Sequence, residues 1–385
     1  MKKISAFFTA LILFALSVLI IHCIMAKTMT VKSEDFGAWI NNYKDLSSDA
    51  MRDNLDRNTV MLMGSSELQR AKNAESSPSQ FCRRTGTDMM ITGAAYNQCL
   101  SHAITLGALS PDLKSKKAVL ILSPSWFEKT GVRKPAFSVR FSETAYLNFM
   151  NNPAISKETK KQVAERAENL LTVNPAMEKN VKSYNRVFLK GHRLNVLDRG
   201  YMVARKMFLR EREYVSLNTA WKAAGLHREK TSEKVKPDFN NMRDVCQVSY
   251  DQNPFHMREK LYRKNFVPVI NKQRNAMKER TFPLTSPEYG DLELFLKVAQ
   301  QEHIKVKIIL LPMNGWWYDH TGFKGDRRNV LPEQIKAITA PYDVDFTSFY
   351  DKDYTDGWLQ DAFHPSKKGW VDIDEEIYEF YNQQS

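Results

Sequence analysis

The chain has 385 residues, 43% of them hydrophobic, enough to bury a full core in one large domain or two moderate ones. Lysine and arginine outnumber the acids, leaving a formal charge of +12 and a pI near 9.3. That field favours polyanions: nucleic acid, an anionic membrane surface or a phosphate-rich polymer. Four cysteines exclude a disulfide scaffold in a chain this long, and their spacing suggests no metal site.

Met1-Lys-Lys precedes a nearly unbroken apolar stretch from Ile4 to Ala26, closed by Lys27. A helix of that length crosses a hydrocarbon core of ~30 Å. A cleaved signal peptide usually carries a shorter apolar region, about 7–15 residues, ending in a small-x-small pattern. Ile24-Met25-Ala26 lacks that pattern, and His22 stands before Cys23 where a lipoprotein needs a small residue. The reading is a retained anchor, residues 1–27, with Lys2 and Lys3 holding the N-terminus in the cytoplasm. The rest of the chain is then extracellular. That placement argues against nucleic acid and for anionic lipid or an envelope polyanion, although a charge excess that only aids solubility is the plain alternative. Outside the anchor, Cys82, Cys99 and Cys246 leave an odd number, so at most one bridge forms, and buried thiols are the simpler reading.

Residues 28–57 read as a polar connector, with Phe36, Trp39, Ile40 and Tyr43 spaced for a short amphipathic helix. Thr59 to Met63 is a strand-length apolar run ended by Gly64. Glu67 to Lys72 begins a helix that Ser76-Ser-Pro-Ser79 interrupts. Asp88 to Thr92 is a second apolar run, closed by Gly93, and Gln98 to Leu109 follows as a helix ending before Pro111. Lys117 to Leu122 is the clearest buried strand and runs into Ser123-Pro-Ser-Trp-Phe127. Strand, helix, strand at this spacing implies βαβ units and a parallel sheet.

From about 142 to 260 the pattern is that of a helical insertion rich in Arg and Lys, helical to about Leu226. Thr231 to Arg258 reads as a long polar connection, a surface segment or lid. The α/β pattern then returns. Leu292 to Gln301 is helical, Val306 to Leu311 is a buried strand stopped by Pro312-Met-Asn-Gly-Trp-Trp317, and Leu331 to Ala340 is helical. Val344 to Phe349 is the last strand, and Lys367 to Tyr381 the last helix. Residues 58–385 are expected to form one α/β domain.

Ligands of parallel sheets gather at the carboxyl ends of the strands, which directs attention to Gly64-Ser65-Ser66, Gly93 and Ser123-Pro-Ser125. A serine hydroxyl is a weak nucleophile until an imidazole takes its proton, and a carboxylate must orient that imidazole. Asp361 and His364 lie three residues apart in the loop before the last helix, where they can supply that pair. The backbone N–H groups of Ser66 and Gly93 are candidate oxyanion donors. Each piece also has a structural reading. Ser66 can cap the helix that follows, and His364-Pro-Ser is a sound helix entry. Trp316, Trp317 and Trp358 fit core or rim packing. Without His-x-x-x-His, Cys-x-x-Cys or a glycine-rich phosphate loop, no metal or nucleotide cofactor is expected.

Serine after the first strand, glycine after the second and Asp-x-x-His before the last helix together resemble the ordered signature of SGNH (GDSL-type) hydrolases. Gly64-Ser65-Ser66 stands for their Gly-Asp-Ser, with Ser66 the nucleophile and Ser65 the fallback. Further residues narrow the resemblance. Gly-Ser-Ser-Glu-Leu, Ser-Pro-x-Trp-Phe at the third strand end, Phe141-Ser142, and His364 with Gly369-Trp370, all behind one anchor, are similar to the DltD family of D-alanyl-lipoteichoic acid biosynthesis proteins. The likeness spans nearly the whole chain, helical insertion included.

The resemblance implies a three-layer α/β/α fold and D-alanine ester transfer onto lipoteichoic acid, outside the membrane of a Gram-positive cell. Implied partners are a membrane-bound O-acyltransferase and the D-alanyl carrier protein. Ser66 would take the acyl group, His364 would serve as base and acid, and Asp361 would orient it. The polyanionic polymer suits the basic charge. One block departs: Ser123-Pro-Ser-Trp-Phe replaces Gly-x-Asn-Asp, which brings Ser125 and Trp126 to the site and leaves Asn97 as a substitute donor beside Gly93. An esterase or thioesterase acting on envelope glycans, and a non-catalytic scaffold for the acyltransferase, are the competing readings.

Overall fold

The computed structural model describes residues 2–71, 76–189, 196–225, 234–277 and 285–383. Parts of the sequence expectations at Lys72, Leu226 and Thr231 lie outside them. Five strands, β1 (Val60–Met63), β2 (Met89–Thr92), β3 (Lys117–Leu122), β4 (Lys305–Leu310) and β5 (Val344–Ser348), form one sheet in the order β2-β1-β3-β4-β5. Every pairing is parallel, with Met61 opposite both Met90 and Ala118. The expected α/β architecture with a parallel sheet is the one the chain adopts.

The helices that matter here are α1 (Lys2–Thr28), α2 (Ser66–Ala71), α3 (Pro78–Thr85), α4 (Cys99–Leu109), α5 (Glu143–Asn151), α6 (Lys157–Leu171), α7 (Pro175–Leu189) and α8 (Val196–Ala223). They are followed by α9 (Phe239–Val245), α10 (Pro287–Gln301), α11 (Val330–Thr339) and α12 (Lys367–Asn382). Successive strand residues point to opposite faces. Met61, Met63, Leu120 and Ile308 therefore pack with α4, α5, α6 and α10 in one core. Leu62, Ile91, Ile121 and Ile309 pack on the other face with Leu68 of α2, Phe81 of α3, and Trp370 and Ile377 of α12. Because helices cover both faces, β1 to β3 are apolar without alternation. Ser77 caps α3 and Pro78 sits in its first turn, so the serine- and proline-rich stretch opens a helix.

α1 contains a window of mean hydropathy 2.7, none of it buried, long and apolar enough to cross a membrane. The following segment is not the amphipathic helix its spacing suggests. Phe36 and Trp39 are buried while the Gly37 carbonyl accepts the Ile91 N–H at 2.9 Å, which fastens the segment along the free edge of β2. A sheet edge offers unpaired backbone groups to such a segment, and this outweighs the helical spacing. Among the described residues of the polar stretch, 234–258, one short helix, α9, forms, its first turn capped by Asp238 and its Arg243 bonded to Asp372 of α12 at 3.1 Å.

In the helical region, Glu143 accepts both a paired bond from Arg205 (3.0 and 2.7 Å) and the Tyr184 hydroxyl, which ties α5, α7 and α8 together. The inner face of α8 carries Leu209, Glu213 and Leu217, all buried. Burial pushes the Glu213 carboxyl up to about 8, against the bond it accepts from Thr144. A folded value above the unfolded one stabilises fully at pH below about 4.3, and that stabilisation is lost as pH rises through the folded value. Glu213→Gln keeps the acceptor for Thr144 without the charge. It is expected to lose less thermal stability than the parent between pH 6 and 9, as melting temperatures will show; identical pH slopes would contradict the assignment.

Candidate active site

In an open sheet ordered β2-β1-β3, consecutive connections leave in opposite directions between β1 and β3, and a crevice opens at their carboxyl ends. Ser66 follows β1 and Ser123 to Phe127 follows β3, so the chain order places both there. β1 stops at Gly64, and Ser66 is the first residue of α2, half-buried. Ser66 therefore sits in the first turn of α2, one position inside its N-cap. Ser66 Oγ lies 2.9 Å from Nε2 of His364.

The other side of the imidazole is held by Asp361, with both carboxylate oxygens 2.9 Å from Nδ1. Local backbone geometry makes this arrangement stiff. The Phe363 and His364 N–H groups both donate to Asp361 Oδ1, at 3.1 and 3.0 Å. The Gln360 N–H donates to the His364 carbonyl, and Leu359 and Pro365 form an isolated antiparallel bridge. Burial alone would raise the Asp361 carboxyl. Hydrogen bonding and charge from His364, with the two backbone N–H groups, outweigh it and hold the group below the ordinary aspartate range. An ionised Asp361 fixes the proton on Nδ1, which leaves Nε2 to accept from the serine O–H; this is the relay by which an imidazole activates a hydroxyl.

Two residues around this relay were not singled out from sequence. Arg70, one helical turn after Ser66 on α2, donates from Nη1 to Asp361 Oδ2 at 3.0 Å. Residues four apart share a helix face, so α2 presents Ser66 to the histidine and Arg70 to the aspartate. That spacing was the available signal. Glu67 is buried, and its carboxylate accepts the Ser65 N–H. Burial raises its pKa, against bonds from its own N–H and that of Ser65.

The remaining sequence candidates have the following contacts. Ser65 is buried, its hydroxyl bonded to the Ala94 carbonyl (3.2 Å) and accepting the Tyr96 N–H (3.1 Å), so it braces the loop after β2 rather than meeting His364. Gly93 packs against the first loop: a Cβ there would come 2.6 Å from Leu68 Cδ1 and 3.0 Å from the Gly64 carbonyl. Its N–H donates to Asp45 Oδ2 at 3.2 Å, and Asn97 Nδ2 lies 3.5 Å from the same oxygen. The Gly93 N–H and the Asn97 amide thus share an acid from the segment that edges the sheet. Burial raises Asp45 to about 6, and no local pattern marks it. Ser125 Oγ bonds Ser123 Oγ at 2.9 Å. Trp126 is buried, with its ring centroid 5.9 Å from that of His102, whose imidazole burial lowers to about 4. Trp358 is fully buried and donates to Asp372 at 2.9 Å, and the four cysteines are unpaired thiols.

A family model described as DltD protein matches residues 34–382. The protein DltD of Bacillus subtilis (strain 168) is 27% identical over 332 residues, covering 85% of this chain and 83% of that protein. The protein DltD of Lacticaseibacillus rhamnosus is 26% identical, covering 84% and 77%, and that of Staphylococcus aureus (strain NCTC 8325 / PS 47) is 26% identical, covering 74% and 72%. The chain belongs to the DltD family.

Proposed function

We propose that this member of the DltD family is a membrane-anchored serine acyltransferase of SGNH type. It moves D-alanyl groups to lipoteichoic acid on the outer face of the cytoplasmic membrane of a Gram-positive cell. The observation that supports this most is the unbroken contact from Ser66 through His364 to Asp361, each step 2.9 Å. It is the geometry that general-base activation of a hydroxyl requires.

In the first half-reaction Ser66 Oγ attacks the carbonyl carbon of an activated D-alanyl donor while His364 Nε2 takes the hydroxyl proton. The bond from the acyl carbon to the donor's leaving group breaks, and the imidazolium returns its proton to that group. Asp361 keeps the ring oriented and balances its transient charge. In the second half a hydroxyl of the polymer attacks the D-alanyl-serine ester, His364 takes its proton, and Ser66 Oγ leaves and recovers that proton. Water in place of the polymer would give the esterase or thioesterase reading, so the acceptor distinguishes the two. The polymer's repeating phosphates suit the net charge of +12. On this reading the partners are the acyltransferase of the D-alanylation system and its carrier protein.

The test is Ser66→Ala, expressed in cells at the parental level. Lipoteichoic acid is expected to lose its ester-linked D-alanine. Unchanged D-alanine content would overturn the proposal and favour the scaffold reading.

A further inference from the structure

We infer that Arg133, the Tyr96 ring and Arg70 form a subsite for phosphate diesters of the acceptor polymer beside Ser66; this deepens the proposed function and rests on the polymer being the acceptor. The loop after β2 is laced to the stretch that carries Ser66. Ser65 Oγ donates to the Ala94 carbonyl and accepts the Tyr96 N–H, and the Ala95 N–H donates to Gln69 Oε1 on α2 at 3.3 Å. Tyr96 therefore stands beside the turn into α2. Its backbone is left-handed, with φ +75°, a region that bulky side chains seldom adopt and that recurs at ligand clamps. Tyr96 is also 47% exposed, so burial of the ring does not offset the strain.

Arg133 lies over that ring, its guanidinium carbon 5.7 Å from the centroid. Arg133 is exposed, and among the described residues no carboxylate pairs with it. The short helix Lys134–Arg140 that follows is held to the same loop, because Arg140 Nε donates to the Ala95 carbonyl at 2.7 Å. On α2, Arg70 gives one N–H to Asp361 Oδ2 at 3.0 Å; its remaining N–H groups have no protein acceptor among the described residues. A guanidinium seated on an aromatic face keeps its planar fork of donors ready for two oxygens of one phosphate. In a glycerol phosphate polymer the attacking hydroxyl stands between two diesters. Delivering that hydroxyl to Ser66 brings the flanking phosphates among these cations.

The experiment uses the full chain in nanodiscs of phosphatidylcholine and a dye-labelled poly(glycerol phosphate) freed of D-alanine, with binding read by fluorescence anisotropy. Arg133→Gln is expected to raise the dissociation constant about fivefold or more, the order of one charge-assisted contact near a surface. Arg133→Lys should recover part of that loss, because the charge stays while the fork goes. Lys336→Gln removes the same charge from an exposed position on α11, which packs beside β5 at the far edge of the sheet. It is expected to change the constant less than about twofold, since solvent screens so distant a charge. An unmoved constant in Arg133→Gln overturns the inference. So does an equal loss in Lys336→Gln, which would show that net charge alone attracts the polymer. Dye-labelled polyglutamate tests the phosphate: binding as tight as the polymer's, with the same loss in Arg133→Gln, overturns the assignment to diesters. Displacement of the polymer by phosphatidylglycerol added to the discs also overturns it, since lipid headgroups would then fill the subsite. Arg133 is exposed, so its replacement removes no core contact. The readout involves no acyl chemistry. Lost D-alanine in Ser66→Ala with an unmoved constant in Arg133→Gln sinks the subsite alone. A raised constant with D-alanine unchanged in Ser66→Ala sinks the transfer reading and leaves a polymer-binding scaffold.

Discussion

Asp361→Asn is expected to slow covalent labelling of Ser66 by a fluorophosphonate about 10⁴-fold, with the fold retained. The asparagine oxygen can still accept the Phe363 and His364 N–H groups that Oδ1 accepts now. Its amide then occupies the place of Oδ2, where it meets the Arg70 guanidinium and His364 Nδ1, both of which need an acceptor. The imidazole is driven to the tautomer with its proton on Nε2, which cannot take the proton of Ser66. Arg70→Gln is expected to cost fivefold or less, roughly the ~1 kcal/mol ceiling of an exposed ion pair, because Arg70 is 49% exposed at its side chain. Labelling rates on the full chain, with circular dichroism to verify folding, separate the two. If Asp361→Asn labels at the parental rate, the relay has no part in activating Ser66, and the proposed function fails with it.

The second large effect is expected on stability. Gly357 has φ +75°, and a Cβ there would lie 1.9 Å from the Val248 carbonyl oxygen. Gly357→Ala therefore meets two penalties at once: left-handed strain of about 1–2 kcal/mol and overpacking of about 1–3 kcal/mol. Neither relaxes easily, since both partners are backbone. Melting temperature is expected to fall by several degrees, roughly 2–4 °C for each kcal/mol in a domain of this class. The same variant is expected to slow Ser66 labelling, because the Gly357 carbonyl accepts the Ser366 hydroxyl and the Trp358 carbonyl accepts the Ser366 N–H, and these contacts set the loop that carries Asp361 and His364. Gly290 is the matched control. It lies in α10, and a Cβ added there would meet nothing within 4 Å. Gly290→Ala should leave the melting temperature level or raise it, through helix propensity worth up to about 1 kcal/mol. Equal effects at the two positions would show that the close approach at Gly357 is not what holds the loop.

The local elements were legible for local reasons. Apolar runs of strand length closed by Gly64 and Gly93 marked β1 and β2, because a strand buried on both faces needs no alternation and a glycine stops it. Ser66, Asp361 and His364 could be named as candidates because few residue types can serve as nucleophile, base and orienter, and these stand at a strand end and in a loop. The family resemblance was carried by contiguous motifs, and such motifs survive as strings of letters. Helical spacing misled between Phe36 and Tyr43, where the backbone of Gly37 bonds to the edge of β2 instead.

What required the folded chain were relations between distant residues. No pattern ties Asp45 to Gly93, yet the approach of that segment turns the Gly93 N–H toward a carboxylate. Nor does any local feature show that α2 offers Arg70 to an aspartate 291 positions later, or that α8 lies against the end of α1. Sequence determined where strands end, which helices are apolar and which residue types stand as candidates at the strand ends, since those follow from each residue's own propensity and its near neighbours. Which N–H faces which carboxylate, and which helix face is left exposed beside α1, were decided only by packing, since hydrogen bonds between segments depend on how the layers dock.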